Sequence, residues 1–186
     1  DLERMKTRFL MKFKLADQAE AVHLIDETGV VARTDDAAAP LFPSLGRPIA
    51  ELENLDGALL IGANPRKDQP LINLRLRKAV LKGAKIYAIN ALDYDFNYKL
   101  AGRVVGAPAE MLRSLAGVAN AMAVLKNSSL PASLKPRFGD IKPGAAEQAM
   151  AQALHQGKCA SILLGTFALS HPQAATLRAL AQLDRK

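Results

Sequence analysis

The clearest pattern of apolar and polar segments lies between residues 54 and 90. The run GALLIG at 57–62 is short, apolar and bounded by polar residues, which is typical of a buried parallel strand. The run KIYAIN at 85–90 has the same character. Between them, residues 71–82 repeat apolar positions at helical spacing. Strand, helix and strand within about 35 residues predict one βαβ unit of a parallel sheet.

The predicted helix at 71–82 has two distinct faces. It follows Pro70, a residue favoured at helix starts, and ends before Gly83, a residue favoured just past helix ends. Its apolar face carries Ile72, Leu76, Ala79 and Val80. A second face carries three cations at helical spacing: Arg75, Lys78 and Lys82. These cations are candidates for docking a partner, and a solvated helix face explains the same spacing equally well.

The rest of the chain extends the same plan. Strands are predicted at 103–106 and 161–165, and helices from Pro108 to Leu125, over 145–156 and from Pro172 onward. The turn-rich stretch 126–144 predicts an exposed loop. Two stretches of the chain have the same order of features. LLIG is followed by a loop and Pro70, and ILLG is followed by a loop and Pro172, which indicates two similar units in one sheet. We therefore predict an α/β, Rossmann-like fold with a mainly parallel sheet and helices on both faces.

The first quarter of the chain lacks this order. Residues 16–25 are good helix formers followed by a stop at DETG, 26–29, and the proline-containing stretch 32–48 predicts irregular structure. The pattern divides the chain into an irregular or helical lead-in, 1–48, and a Rossmann-like domain, 49–186. Because the chain opens at Asp1 without an initiator Met, we expect it to be part of a longer polypeptide.

Composition and charge narrow the classes of function. The net charge of +7 favours acidic partners, but only 5% of residues are aromatic and Trp is absent, so platforms for stacking bases are scarce. We expect no nucleic-acid binding and favour a surface for an acidic protein. No apolar run is long enough to span a bilayer, so direct membrane insertion is not expected. A single cysteine, Cys159, excludes an internal disulfide framework.

The loop after the first strand of the βαβ unit is the candidate ligand site, because open α/β sheets bind ligands at the carboxyl ends of their strands. It contains Gly62, Asn64 and Pro65 but neither the G-x-G-x-x-G pattern of dinucleotide sites nor a P-loop. The second strand ends in Asn90, where an NAD site usually has an acid. A turn built by glycine, asparagine and proline explains these residues better than a ligand does.

No catalytic or metal-binding set is predicted. The three histidines lie far apart in sequence and none forms a metal-binding spacing. Ser170 and His171 are adjacent, but the pattern of a hydrolase nucleophile elbow is absent, and Ser170 is predicted to cap the last helix.

The stretch LENLDGALLIGANPRKDQPLINLRLRKAVLKGAKIYAIN resembles the large iron–sulfur subunit of bacterial NADH–quinone oxidoreductase (respiratory complex I). The likeness lies in that subunit's molybdopterin-oxidoreductase-like domain, similar to that of formate dehydrogenases. It rests on the IG-x-NP-R-K-x-x-P loop, the LRLRKA helix and the GAK entry to the next strand. It is strong over 50–91, fair over 103–125 and 158–183, and weak before 45.

The resemblance implies a scaffold domain in an enzyme that passes electrons from NADH through iron–sulfur clusters to quinone and pumps protons. It implies a peripheral position on the cytoplasmic side of the inner membrane, with other subunits of the peripheral arm as partners. Molybdenum enzymes of this type have an acid and a proline where this chain has Asn90 and Ala91, so no cofactor is expected in this segment. The alternatives are a fragment of a molybdopterin-dependent oxidoreductase that contacts the pterin–guanine nucleotide, and a basic protein- or nucleic-acid-binding module.

Overall fold

The computed structural model describes residues 23–26, 29–32 and 45–182. The first two ranges are short strands, β1 (His23–Asp26) and β2 (Gly29–Ala32), paired antiparallel with His23 opposite Ala32. The prediction of a helix over 16–25 is therefore wrong at its end, where β1 begins, and the rest of that prediction lies outside the described residues. Helix propensity is weak, and pairing with the β-branched segment of β2 outweighs it here.

Residues 45–182 form the main unit of the fold. Most elements predicted in this unit are confirmed within a residue or two. Pro172 does not open the last helix, which begins two residues later. Three short helices were not predicted: Pro65–Asp68, Lys135–Phe138 and Thr166–Leu169. The second of these buries Phe138 within the stretch 126–144, so the prediction of an exposed loop there is wrong in part. The elements in chain order are a 3-10 helix (Ile49–Asn54), β3 (Gly57–Ile61), α1 (Pro65–Asp68), α2 (Pro70–Leu81), β4 (Lys85–Asn90), β5 (Gly102–Val105), α3 (Pro108–Leu125), α4 (Lys135–Phe138), α5 (Ala145–Gln156), β6 (Ala160–Leu164), α6 (Thr166–Leu169) and α7 (Ala174–Gln182).

The sheet of the main unit has four parallel strands in the order β5-β4-β3-β6. Gly57 of β3 is opposite both Lys85 of β4 and Ala160 of β6, so the two similar units identified in the sequence lie side by side. The strand order reverses direction at β3, since β4 and β5 follow on one side and β6 on the other. The α/β fold with a parallel sheet is thus confirmed.

Two apolar cores lie on opposite faces of this sheet. Alternate residues of β3 belong to different cores, because successive side chains of a strand point to opposite faces of the sheet. Leu59 and Ile61 join α3, α5 and α7 in the larger core, whereas Ala58 and Leu60 join α2 and the 3-10 helix in the smaller one. All four of these β3 side chains are almost completely buried. The predicted placement of helices on both faces is confirmed.

Asp56 joins the amino ends of three strands. Its carboxylate accepts hydrogen bonds from the backbone N–H groups of Lys158, at 2.6 Å, and Cys159, at 3.0 Å. Its own N–H donates to the Cys159 carbonyl, and its carbonyl accepts from the N–H of Lys85. One residue therefore sets the register of β3 against both β4 and β6.

Among the described residues, Gly46, Gly62 and Gly83 have positive φ, and the last two follow β3 and α2. Gly83 (φ 100°) follows α2, and a side chain there would meet no atom within 4 Å. Gly62 (φ 54°) follows β3, and a Cβ there would lie 2.5 Å from the backbone nitrogen of Ala168. Both positions favour glycine because of their backbone conformation, but only Gly62 is also enclosed.

We expect Gly83→Ala to lower the free energy of unfolding by about 1 kcal/mol, the cost of a left-handed conformation. Gly62→Ala adds a clash with backbone atoms and should cost at least about 2 kcal/mol more. Urea unfolding of the two variants beside the parent chain measures the difference. Equal losses would show that the loop after β6 does not pack on Gly62 as described.

Candidate functional site

The loop after β3 lies where an open α/β sheet places its ligand. Strand order reverses at β3, so the loops after β3 and β6 leave the sheet side by side at its carboxyl edge. Gly62, Asn64 and Pro65 all lie at this edge, as the sequence predicted. Their backbone N–H and C=O groups can bind a ligand only where no protein group is already bonded to them.

The backbone of this loop is bonded within the protein. The N–H of Gly62 donates to the Ile89 carbonyl at 2.9 Å, and the N–H of Ala63 donates to Asn90 Oδ1 at 2.8 Å. The Gly62 carbonyl accepts from the N–H of Phe167 at 3.1 Å. Phosphate groups in nucleotide-binding folds are held by free backbone N–H groups of such a loop. Here the two N–H groups at its start have protein acceptors.

The loop after β6 occupies the space beside this turn. A Cβ on Gly165 would lie 2.3 Å from Ala63 Cα, and the N–H of Gly165 donates to the Ile61 carbonyl at 2.8 Å. In dinucleotide-binding folds, glycine allows the backbone to approach a pyrophosphate closely. In this protein, Gly62 and Gly165 allow two loops to approach each other instead. The residues at this junction do not fit the phosphates of a nucleotide cofactor.

Asn90 fixes the loop from the end of β4. Its side chain is buried, with 2% exposure. Its Oδ1 accepts from the Ala63 N–H, and its Nδ2 donates to the Ala63 carbonyl at 3.3 Å. A carboxylate could accept the first bond but could not donate the second. The sequence indicated only that Asn90 departs from an acidic residue, and it did not reveal this amide clamp.

Asn64 and Pro65 begin α1. The Asn64 carbonyl accepts from the N–H groups of Lys67 and Asp68, and Pro65 is the first helical residue. The Asn64 side chain makes no capping hydrogen bond, and its Oδ1 is buried without a partner. Asn73 Oδ1 in α2 is buried in the same way. The turn predicted for these residues is therefore present, and Asn64 keeps one polar atom that the described protein does not satisfy.

The loop between β4 and β5 is held by ion pairs and aromatic contacts. Asp95 pairs with Arg66, and Asp93 lies 2.7 Å from Arg103. The backbone N–H of Asn97, followed by the Arg66 guanidinium, lowers the pKa of the Asp95 carboxyl. Burial raises the pKa of the Tyr98 hydroxyl, which stays protonated. Both carboxylates thus have structural partners, and this loop offers no pair of free acids.

No metal-binding cluster is assembled in the described part of the chain. No three metal-binding side chains of the His, Cys, Asp and Glu types come together there. Cys159 Sγ accepts a hydrogen bond from Arg47 at 3.2 Å. The Nδ1 of His171, rather than a group of the predicted cap Ser170, accepts from the N–H of Gln173, the residue just before the last helix begins. Among the helices that the structure describes, none has the length and apolar character needed to cross a membrane.

The three cations predicted for docking converge on one carboxylate of the 3-10 helix, Glu53. Arg75 Nη1 lies 2.6 Å and Lys78 Nζ 3.4 Å from Glu53 Oε2, and Lys82 Nζ lies 3.8 Å from Oε1. The Arg75 hydrogen bond, with smaller effects of Lys78 and Lys82, lowers the pKa of the Glu53 carboxyl. The structure thus brings the three residues together and gives them an intramolecular partner, which the sequence did not reveal.

Asn90→Asp should destabilise the chain by about 3 kcal/mol at neutral pH, because a buried carboxylate would face the Ala63 carbonyl without donating to it. Equilibrium urea unfolding measures the change. Asn54→Asp, at an exposed position where the side chain accepts a bond from Lys82, is the matched control and should have little effect. An unchanged midpoint for Asn90→Asp would contradict the amide clamp.

Glu53 should stabilise the fold only while it is ionised. A lowered folded-state pKa means that its contribution is complete above the unfolded pKa, about 4.3, and is lost as pH falls through the folded value. The difference in thermal stability between the parent chain and Glu53→Gln should therefore be largest at neutral pH and should vanish in acid. Glu51→Gln, in the same 3-10 helix, is the control, and an equal pH dependence there would refute the assignment.

Comparison with protein families agrees with this geometry at the level of the fold. The family model described as molybdopterin oxidoreductase matches residues 19–183, which is most of the chain. The match includes the whole sheet of the main unit, both loops of the β3–β6 junction and the basic helix α2. The chain therefore belongs to the molybdopterin oxidoreductase family.

Proposed function

We propose that this protein is a scaffold domain from the large iron–sulfur subunit of a proton-pumping NADH–quinone oxidoreductase and holds no cofactor of its own. The observation that carries this proposal is the hydrogen-bonded junction between the loops after β3 and β6. The Gly62 and Ala63 N–H groups have protein acceptors, and Gly165 packs against the same turn. On this proposal the domain contributes shape and contacts rather than chemistry.

The choice of parent enzyme is supported by sequence likeness. The arginine-rich helix α2 resembles that of the large iron–sulfur subunit of complex I and favours this parent, whereas the strand-G-x-N-P loop before it also resembles that of formate dehydrogenases and nitrate reductases. On this proposal the parent subunit carries iron–sulfur clusters outside this segment. The domain sits in the peripheral arm on the cytoplasmic side of the inner membrane, in contact with other subunits through surfaces that include Arg75, Lys78 and Lys82.

One observation favours a second candidate, a molybdopterin-dependent oxidoreductase of the formate dehydrogenase type. Asn64 Oδ1 is buried at the carboxyl edge without a partner, and a bound group could satisfy it. Against this candidate, the neighbouring N–H groups have protein acceptors and Asn90 replaces the acidic residue. A basic binding module, the third possibility, has only the net charge of +7 in its favour.

Cofactor content separates the first two candidates. The chain, extended to its natural neighbours, would be purified from a host that makes molybdopterin and assayed for molybdenum, tungsten and released guanine nucleotide. We expect none of the three in stoichiometric amount, and iron only when upstream cysteines are included. A known molybdenum enzyme from the same host is the loading control. Stoichiometric metal and nucleotide would overturn the scaffold proposal.

A further inference from the structure

The outward face of α2 carries three exposed leucines. Leu71, Leu74 and Leu81 are 67%, 45% and 78% exposed, whereas Leu76 and Ala79 on the inward face are fully buried. Leu74 and Leu81 are seven residues apart, about two helical turns, and Leu71 lies three residues before Leu74. The three therefore form one stripe, which we call the leucine face.

Cations flank the leucine face on both sides. At helical spacing, Arg77 and Lys78 lie on opposite sides of the line from Leu74 to Leu81. Arg77 is exposed and makes no ion pair or hydrogen bond within the part of the chain that the structure describes. Lys78 retains 48% exposure beside Glu53. α2 itself contains no acidic residue.

Glu53 balances only part of this charge. It is shared by three cations, and its closest contact, 2.6 Å, is with Arg75 rather than with a cation beside the leucines. Arg75 is thus the most fully neutralised member of the predicted docking set. The surface left for a partner is the leucine face with Arg77 and Lys78.

We propose that the leucine face docks a second polypeptide whose contact surface has an apolar centre rimmed by aspartate and glutamate. Exposed apolar side chains gain free energy on burial, and complementary charge selects the partner and its orientation. The proposal rests on the proposed scaffold function, in which the domain acts through contacts, and it moves the predicted surface from Arg75 and Lys82 to the leucines and Arg77.

Other occupants suit this surface less well. A second copy of the chain would bring two faces of like charge together. The chain's own segment 1–15 is also basic, with Arg4, Lys6, Arg8, Lys12 and Lys14, whereas segment 16–44 is acidic, so the crosslink below must distinguish that segment from a second polypeptide. Membrane-surface helices separate a broad apolar face from their charges, whereas Arg77 and Lys78 stand close beside a narrow stripe.

The test uses the full-length parent polypeptide in its native assembly. A photoreactive amino acid replaces Leu81, and mass spectrometry identifies the crosslinked peptide. Gln152, an exposed residue of α5, is the control position. We expect a crosslink from position 81 to a different polypeptide, within a segment containing clustered acidic residues. Crosslinks only to lipid, to a second copy or to the same chain, or no crosslink above the control, would overturn the proposal.

Paired substitutions test the chemistry of the surface. Leu74→Ser and Arg77→Glu should each reduce retention of the partner about tenfold, the loss typical of an interface residue that matters. Val124→Ser and Lys85→Glu make matched changes at exposed positions elsewhere and should leave retention unchanged. Thermal unfolding of all four variants checks that folding is retained, and equal retention in all four would overturn the proposal.

The outcomes separate this proposal from the proposed function. An acidic partner that belongs to no respiratory enzyme would refute the complex I assignment and leave the leucine face established. Loss of the crosslink in an assembly that lacks molybdenum and nucleotide would refute the leucine face and leave the scaffold function intact.

Discussion

The fold depends on how the backbone leaves β3. Buried N–H and C=O groups must find partners, and the turn at Gly62 and Ala63 places several of them at the centre of the carboxyl edge. A nucleotide-binding domain leaves such groups to its ligand. In this protein the Ile89 carbonyl, the Asn90 side chain and the loop after β6 take that role. The contacts that hold the sheet together therefore also satisfy the N–H groups of Gly62 and Ala63, whereas Asn64 Oδ1 has no partner among the described residues.

The basic charge of the chain is also organised by a few contacts. Glu53 collects three cations of α2, while Arg66 and Arg103 pair with acids of the loop after β4. These are mostly exposed pairs, which contribute little stability singly. Their main effect is to determine which cations lack an acidic partner within the described protein and can therefore contact another molecule. The position of an exposed cation such as Arg77 therefore says more about what this surface can contact than the net charge of +7 does.

Local signals in the sequence predicted much of the fold. Proline and glycine mark both ends of α2, and short apolar runs mark β3 and β4, so each boundary follows from neighbouring residues. Two elements were missed for different reasons. β1 lies where propensity indicated a helix, although its partner β2 is only three to nine residues away, and α6 packs on Gly62, more than a hundred residues earlier in the chain. The turn after β3 was predicted, but the roles of Asn90 and Glu53 were not, since their partners are distant in sequence.

The two faces of α2 connect these points. Its inward face is apolar and tightly packed, which requires only that apolar residues recur at helical spacing on the side that covers the sheet. Its outward face departs from that rule, because a helix that faces only water gains nothing from three exposed leucines between cations. The contacts of Gly62, Ala63 and Asn90 are explained by the folding of the sheet, whereas the exposure of Leu71, Leu74 and Leu81 is not explained by packing within the described residues.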